Sequence, residues 1–308
     1  MRWGDFRRSG NVEDRTDGSS GSGGSPLGGG AKLGGGALIL IVIASLLFGV
    51  NPLEMIGALE SGGPMAPPAT EQQPAPGYGP QPTPAPGQPR PPAPAPDPSK
   101  DFVAAVLGDT EDVWGAMFQS MGARYEPPRL VLFRRATQSA CGHASAAVGP
   151  FYCPADRRLY LDTAFFNELS RRFGAPGDFA QAYVIAHEVG HHVQNLTGTM
   201  QKVDQQMQRT DARGRNALSV RMELQADCYA GVWGHFAQRR NKLEVGDLEE
   251  GLRAAAAVGD DQIQKRTQGY VVPESFTHGA AEQRLRWFRI GLESGDMRNC
   301  NTFAARGS

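Results

Sequence analysis

The sequence predicts an α+β fold in which a small sheet precedes a helical majority. Short runs of β-type residues bounded by turn residues lie between positions 129 and 162. From position 163 onward, apolar side chains recur at helical spacing in successive long segments. The 39 glycines and 23 prolines are concentrated in the first hundred residues, so the folded domain is predicted to comprise residues 100–308.

The pattern within this domain predicts individual elements in chain order. A first helix is expected over 101–121, where apolar residues are spaced three and four apart. The predicted strands are Arg129–Phe133, 146–152 and Arg158–Asp162. The later predicted helices are 163–173, Asp178–Leu196, 215–239, 245–267 and 280–292.

The start of the chain predicts a leader and an anchor. Residues 1–36 are polar and glycine-rich, which is typical of a disordered segment. An apolar run follows at 37–50 within a longer uncharged stretch, and about 20 such residues span a bilayer as a helix. A cleaved signal peptide and a buried core helix are the alternatives, but the leader is long and no small-residue cleavage pattern follows. The sequence therefore favours one transmembrane helix over 37–59.

Basic residues and prolines predict how this anchor is arranged. Around the apolar run, basic residues lie only on its N-terminal side, since none occurs between positions 37 and 89, which places the N-terminus in the cytoplasm and the domain outside it. These residues are Arg2, Arg7, Arg8, Arg15 and Lys32. Residues 60–99 are proline-rich and predict a semi-rigid linker, with a ligand for a proline-binding domain as the alternative. A single-pass protein of the cell membrane is the expected result.

Charge and cysteines limit the classes of partner and compartment. The formal net charge is −1, so the composition does not suggest a nucleic-acid partner. The four cysteines, Cys141, Cys153, Cys228 and Cys300, lack the C-x-x-C spacing of a structural zinc site. Outside the cytoplasm they would form two disulfides, and four unrelated buried thiols are the alternative.

One short segment predicts metal chemistry. His187 and His191 are four residues apart, which stacks both imidazoles on one face of a helix where they can bind the same Zn²⁺. Glu188 lies about 100° around the helix from His187, in the place of a general base that takes a proton from water. The surrounding residues are mostly apolar, so this helix is predicted to be buried, where imidazole and carboxylate groups need partners.

The third zinc ligand has to come from elsewhere. Gln194 and Thr197 occupy the glycine and third-histidine positions of the metzincin pattern, which excludes that class. Downstream, Glu223 and Asp227 are four apart in an apolar segment. Glu223 is the favoured ligand, with Asp227 orienting a zinc-bound histidine by a hydrogen bond. The alternatives exchange the two roles, or place both acids on an exposed face.

Several motifs together resemble the bacterial neutral zinc metallopeptidase family, whose members are membrane-anchored and related to the gluzincin clan. The matching segments cover the first 15 residues and nearly everything after residue 100. They are MRW (1–3), NVEDR (11–15), GPFYCP (149–154), YLD (160–162), HEVGHHV (187–193), ELQADCYAG (223–231), GDD (259–261), FTHG (276–279) and EQR (282–284). The resemblance implies a zincin-like domain, Zn²⁺ as cofactor and a peptide or protein substrate.

The resemblance also implies roles for further residues. In gluzincins a strand beside the zinc helix binds substrate by β-augmentation, and residues 145–152 are the similar segment here, held by a possible Cys141–Cys153 bridge. His278 matches a histidine that stabilises the oxyanion, and capping of the final helix is the alternative. A bridge between Cys228 and Cys300 is a further hypothesis among the three pairings that four cysteines permit.

The expected function is therefore a membrane-anchored zinc-dependent metallopeptidase with Glu188 as general base. Two alternatives remain open at this point. One is a catalytically idle zinc-binding scaffold of the cell envelope, and the other is a zinc amidase acting on cell-wall peptides. The presence of Glu188 favours an enzyme, because a purely structural zinc site does not need a general base.

Overall fold

A computed structural model describes residues 1–16, 98–145 and 148–304 of the chain. The strands are β1 (Val12–Asp14), β2 (Arg129–Phe133), β3 (Ala136–Ser139), β4 (Gly142–Ser145), β5 (Phe151–Cys153) and β6 (Arg158–Asp162). The helices are α1 (Pro98–Ser120), α2 (Phe165–Arg171), α3 (Asp178–Leu196), α4 (Thr199–Met207), α5 (Ala212–Arg239), α6 (Asp247–Ala257), α7 (Asp260–Thr267) and α8 (Ala281–Ser294).

The main sheet has four strands in the order β1-β2-β6-β5. β2 runs parallel to both β1 and β6, while β5 pairs with β6 in antiparallel orientation. Leu130 of β2 lies between Val12 on one side and Leu159 on the other, and both leucines are buried. A continuous apolar run such as that of β2 is typical of a strand covered on both faces. β3 and β4 form a separate antiparallel hairpin.

The helices pack against each other through positions where the side chain is small. α5 and α8 approach each other at Gly231 and Gly291. A Cβ on Gly231 would lie 2.1 Å from the Phe288 carbonyl oxygen, and a Cβ on Gly291 would lie 1.9 Å from that of Cys228. Only glycine allows both backbones to come so close. This contact fixes the position of α8 against α5.

The first residues of the chain belong to the same folded unit. Phe6 is buried, Ser9 donates its backbone N–H to the Ala104 carbonyl of α1, and β1 completes the edge of the sheet. The Arg7 carbonyl lies against α1 where a Cβ on Gly108 would be only 2.2 Å from it. Disorder over residues 1–36 is therefore wrong for residues 1–16, because their apolar and hydrogen-bonding groups are used in the core and the sheet.

The predicted anchor and linker at 37–59 and 60–99 lie outside the described residues, apart from the last two linker residues, which begin α1. Among the residues that are described, no helix is both long and apolar enough to cross a membrane. At the start of α1, Lys100 donates to Asp14 of β1 at 3.1 Å. The predicted orientation, with a cytoplasmic N-terminus and an external domain, depends on that anchor and stays a prediction.

The α+β class is confirmed, with most elements near their predicted positions. The expected helix 245–267 is instead two helices, α6 and α7, separated at Gly259. A Cβ on Gly259 would lie 2.5 Å from the Ala281 backbone nitrogen, so the chain turns there beneath α8. The β1 strand, the β3–β4 hairpin and α4 were not predicted, since their segments are short or polar.

Both predicted disulfides are present. Cys141 is bonded to Cys153, which joins the β3–β4 hairpin to the edge strand β5. Cys228 is bonded to Cys300, which ties the segment after α8 to the middle of α5. No free cysteine remains among the residues described.

Candidate metal centre

Three ligand-type side chains converge between α3 and α5. His187 and His191 are one turn apart on α3, and their Nε2 atoms lie 3.2 and 3.4 Å from the two carboxylate oxygens of Glu223 on α5. One ligand atom from each of the three residues lies within 4.8 Å of the others, and the side chains of His187, His191 and Glu223 are only 8%, 13% and 7% exposed. Two imidazoles and one carboxylate are a donor set of catalytic zinc sites, so these residues fit a zinc ion.

A glycine within the histidine pair brings the two helices together. Gly190 faces Ala226 of α5, and a Cβ added to it would lie 3.0 Å from the Ala226 carbonyl oxygen. Contacts of that length are tighter than ordinary van der Waals distances, so a larger residue would push the helices apart. The absence of a side chain at position 190 therefore allows the short distance between the two histidines and Glu223.

Asp227 lies behind His187 instead of beside Glu223. Its Oδ1 is 2.8 Å from His187 Nδ1, the nitrogen that faces away from Glu223. Arg284 of α8 donates to both oxygens of Asp227 at 2.8 and 2.9 Å, and the Tyr183 hydroxyl donates to Oδ1 as well. Asp227 is fully buried with its oxygens engaged in this way. The geometry favours the arrangement in which Asp227 orients His187 and Glu223 is the ligand.

Charges in this cluster alter the pKa of each member. Burial lowers the pKa of His187, but Asp227 and Glu223 outweigh it and raise that pKa to about 10. Burial raises the pKa of Glu223, yet His191 and His187 more than offset this and hold it well below its usual range. Without a metal, His187 therefore favours its protonated form, between the carboxylates of Asp227 and Glu223. Binding of a cation would release that proton, as it does in other histidine sites.

Glu188 is placed next to this group on α3. Its side chain is buried, and burial raises the pKa of its carboxyl above the ordinary value. The positive charges of His191 and His187 oppose that change, and the negative charge of Glu223 adds to it. A carboxyl with a raised pKa beside a metal-type cluster is suited to accepting and returning a proton.

His278 lies in the loop before α8 and is held by Asp260. Its Nδ1 is 2.9 Å from Asp260 Oδ1, while Asp260 Oδ2 accepts the backbone N–H groups of Thr277, His278 and Gly279. Burial lowers the pKa of His278, but Asp260 outweighs it and raises the pKa above the ordinary value, with a contribution from Glu223. The alternative role as helix cap is not supported.

Other groups perform that capping. Ala280 precedes α8 and donates its backbone N–H to the Gln283 side chain, and the Ala281 N–H is bound by Asp261. These contacts satisfy the first donors of α8 without the His278 side chain. The His278 side chain is thus not needed to cap α8.

The segment resembling a substrate-binding strand, 145–152, corresponds only in part to an observed strand. Positions 146 and 147 lie outside the described residues, and β5 is the edge strand next to α3. The Tyr152 hydroxyl contacts both His192 and Asn195 of α3 at 3.0 and 2.8 Å. His192 therefore fastens α3 to β5 on the side away from Glu223.

Several residues of the site were missed by sequence reasoning. They are Tyr183, Gln225, Asp260 and Arg284, together with Gln194, which accepts from His191 Nδ1 at 2.9 Å. The segments GDD and EQR contain two of them and were noted only as matches to a family. The available signal was the position of Arg284 on the same helix face as the apolar Phe288 and Leu292, since a charge buried there needs a carboxylate partner.

Comparison with known proteins agrees with this geometry. The sequence model of one family, described as "Putative neutral zinc metallopeptidase", matches residues 1–303. The Escherichia coli K12 protein named "Uncharacterized protein YpfJ" is 46% identical over 304 residues, which cover 98% of this chain and 99% of that protein. "Uncharacterized protein Mb2605" of Mycobacterium bovis is 44% identical over 214 residues, 66% of this chain and 70% of the relative. No solved structure matches significantly.

Proposed function

Because the chain belongs to the neutral zinc metallopeptidase family, we propose that it is a zinc-dependent peptidase that hydrolyses peptide bonds. The observation that carries this proposal is the position of Glu223 against both Nε2 atoms, at 3.2 and 3.4 Å, with Glu188 on the same helix as the histidines. His187, His191 and Glu223 would hold the zinc ion. Three protein ligands leave a position for water or substrate, as catalytic sites require.

A zinc ion held there supplies the Lewis acidity that activates water and polarises the scissile carbonyl. Glu188 accepts the proton of the attacking water, and its raised pKa lets it return that proton to the leaving amine. Asp227, held by Arg284, fixes His187 in the tautomer whose Nε2 is free to bind.

His278 is proposed to donate a hydrogen bond to the oxygen on which negative charge develops. Asp260 occupies its Nδ1 and raises its pKa, so its other nitrogen can carry a proton towards the site. β5, the edge strand beside α3, is proposed to pair with the backbone of a peptide or protein substrate. The zincin-like character of the domain is part of the same proposal.

The location is also a proposal. Two disulfides in a chain of this size favour an oxidising compartment outside the cytoplasm. The apolar run at 37–50 is long enough, with its uncharged flanks, to attach the protein to the cell membrane. In that location, the substrates would be peptides of the cell envelope or its surroundings.

The test compares the wild type with Glu188→Gln, which keeps the size of the side chain and removes its basicity. Both proteins are loaded with zinc, their metal content is measured, and hydrolysis of an unfolded protein and of cell-wall peptide fragments is followed. We expect equal zinc content and a loss of about 10²–10⁴-fold in turnover of the unfolded protein.

Three outcomes contradict the proposal in different ways. Unchanged turnover in zinc-loaded Glu188→Gln would exclude this mechanism. Turnover of cell-wall fragments alone would indicate the amidase. Zinc binding by the wild type without hydrolysis of either substrate would indicate the scaffold.

A further inference from the structure

A chain of hydrogen bonds runs from His191 to the segment after α8. His191 Nδ1 lies 2.9 Å from Gln194 Oε1, and Gln194 Nε2 donates to the Met222 carbonyl at 2.7 Å and to Gln225 Oε1 at 3.1 Å. Gln225 Nε2 donates in turn to the Cys300 carbonyl at 2.9 Å. Two amide side chains thus connect a proposed zinc ligand with the C-terminal disulfide.

The backbone carbonyls of Met222 and Cys300 determine which atom donates and which accepts in each of these hydrogen bonds. Backbone carbonyls can only accept, so Gln225 must present its NH₂ to Cys300 and its oxygen to Gln194. Gln194 must then present its NH₂ to Gln225 and Met222, which leaves its oxygen facing His191. The Nδ1 of His191 therefore carries the proton, and its Nε2 presents a lone pair towards Glu223.

The chain is also isolated from solvent. Gln194 is 0% exposed, Gln225 is 6% exposed and Cys300 is 0% exposed. A buried amide that loses a partner is left unsatisfied at a considerable free-energy cost, so the two glutamines depend on each other. Neither can rotate without breaking the bonds of the other.

The Cys300 carbonyl is held against α5 by more than this bond. Cys300 is disulfide-bonded to Cys228, one turn after Gln225 on α5. The Thr302 hydroxyl donates to the Arg221 carbonyl on the preceding turn of the same helix at 2.6 Å. The segment therefore lies along α5, and the bridge determines where the accepting carbonyl is.

We propose that Gln194 and Gln225 are positioning residues for the zinc ligand His191, and that the Cys228–Cys300 bridge extends this support to the C-terminal segment. The proposal rests on the zinc binding of the proposed function, but it does not require peptidase activity. Under this proposal, the zinc affinity of the protein depends on a disulfide whose two cysteines are not zinc ligands.

The first test measures zinc affinity by competition with a chelator. Gln194→Met and Gln225→Met fill similar volumes but cannot take part in the hydrogen bonds, and each is expected to weaken zinc binding about 10–100-fold. Gln194→Glu keeps an oxygen that accepts from His191 but loses the NH₂ group that donates to Met222 and Gln225, so it is expected to bind zinc more tightly than Gln194→Met and more weakly than the wild type. A mere loss of packing would give the two variants the same affinity.

The second readout is the absorption spectrum of the Co²⁺-substituted protein at saturating metal. We expect a changed ligand-field spectrum in Gln194→Met and a spectrum close to wild type in Gln194→Glu. Wild-type zinc affinity and an unaltered Co²⁺ spectrum in Gln194→Met would overturn the proposal.

The second test uses the two disulfides as a matched pair. The double variant Cys228→Ser with Cys300→Ser is compared with Cys141→Ser with Cys153→Ser, each at a temperature where circular dichroism shows it folded. Only the first is expected to bind zinc about 10-fold more weakly or worse. Equal affinities would overturn the role of the bridge. A wild type that binds no zinc would instead refute the proposed function itself.

Discussion

The two histidines at the centre of the site lie one turn apart on one helix, yet their supports differ in kind. Behind His187 lies a buried carboxylate, Asp227, which is paired with the guanidinium of Arg284 and bound by a tyrosine. Behind His191 lie two neutral amides that end on backbone carbonyls. The same orientation of an imidazole is thus achieved once with charges and once without them.

Both supports orient a histidine, and they differ in the charge that they place beside it. The charge of Asp227 helps raise the pKa of His187 to about 10, which makes that ring a stronger donor to a metal and also a stronger binder of protons. A neutral amide orients a ring without adding charge. Removing one member of a buried charge pair leaves the other uncompensated, whereas an amide chain loses only hydrogen bonds.

The largest effect is expected when the guanidinium is removed from the charged support. Arg284→Met removes the guanidinium that pairs with the buried Asp227 and leaves only His187 to balance its charge, so the free energy of unfolding should fall by about 3–5 kcal/mol. Urea denaturation of the metal-free protein measures this. The double variant with Asp227→Asn removes the incompletely balanced charge and should recover part of the loss. A fall below about 1 kcal/mol in Arg284→Met would show that the network behaves like an exposed pair.

The next effect concerns metal affinity. Asp227→Asn keeps an oxygen that can accept from His187 but removes the charge, and zinc binding should weaken by about 10–100-fold. Chelator competition at several pH values measures it. We expect the wild type to lose affinity more steeply than the variant as the pH falls, because its His187 holds its proton more tightly. Parallel curves would mean that charge contributes nothing beyond orientation.

His278 extends the comparison to a histidine that is supported by charge but is not a proposed ligand. Asp260 raises the pKa of His278, so the protonated form persists to higher pH. In Asp260→Asn that pKa should fall, and the basic limb of kcat/KM should move to lower pH. Zinc content serves as the control and should not change. An unmoved basic limb would remove His278 from the proposed mechanism.

The smallest effect is expected where charges pair at the surface. Lys100 and Asp14 are 3.1 Å apart, but their side chains are 45% and 30% exposed. Lys100→Ala should therefore change the free energy of unfolding by only about 0–1 kcal/mol, and less at high salt. Urea denaturation at two salt concentrations measures this change. A loss comparable to that of Arg284→Met would show that exposure does not explain the difference between the two pairs.

The cluster of candidate ligands and the helices that carry it could be predicted because their information is local. The spacing of His187 and His191 and that of Glu223 and Asp227 each place two side chains on one helix face. The bounds of α3 follow from the same periodicity and agree with the structure. The disulfide pairing is one of three combinations, and cysteine spacing alone does not select among them.

The rest depends on contacts between distant segments. Arg284 meets Asp227 only because Gly231 and Gly291 allow α8 to approach α5. The role of Gln194 depends on Gln225 and on a carbonyl at position 300, which no spacing rule connects. β1 has three residues and gains its stability from β2, so its own sequence gives no periodic signal.

The docking of β1 has a topological consequence for how the protein meets a membrane. Asp14 and Lys100 are neighbours, and the chain between them starts and finishes at one corner of the domain. A path that begins and ends on the same side of a bilayer crosses it an even number of times, or not at all. Pairing of β1 with β2 therefore places the first and last described residues of the chain in one compartment. Withdrawal of β1 would expose the backbone edge of β2, so the predicted single-pass topology, with the N-terminus and the domain on opposite sides of a membrane, would cost the sheet its edge strand.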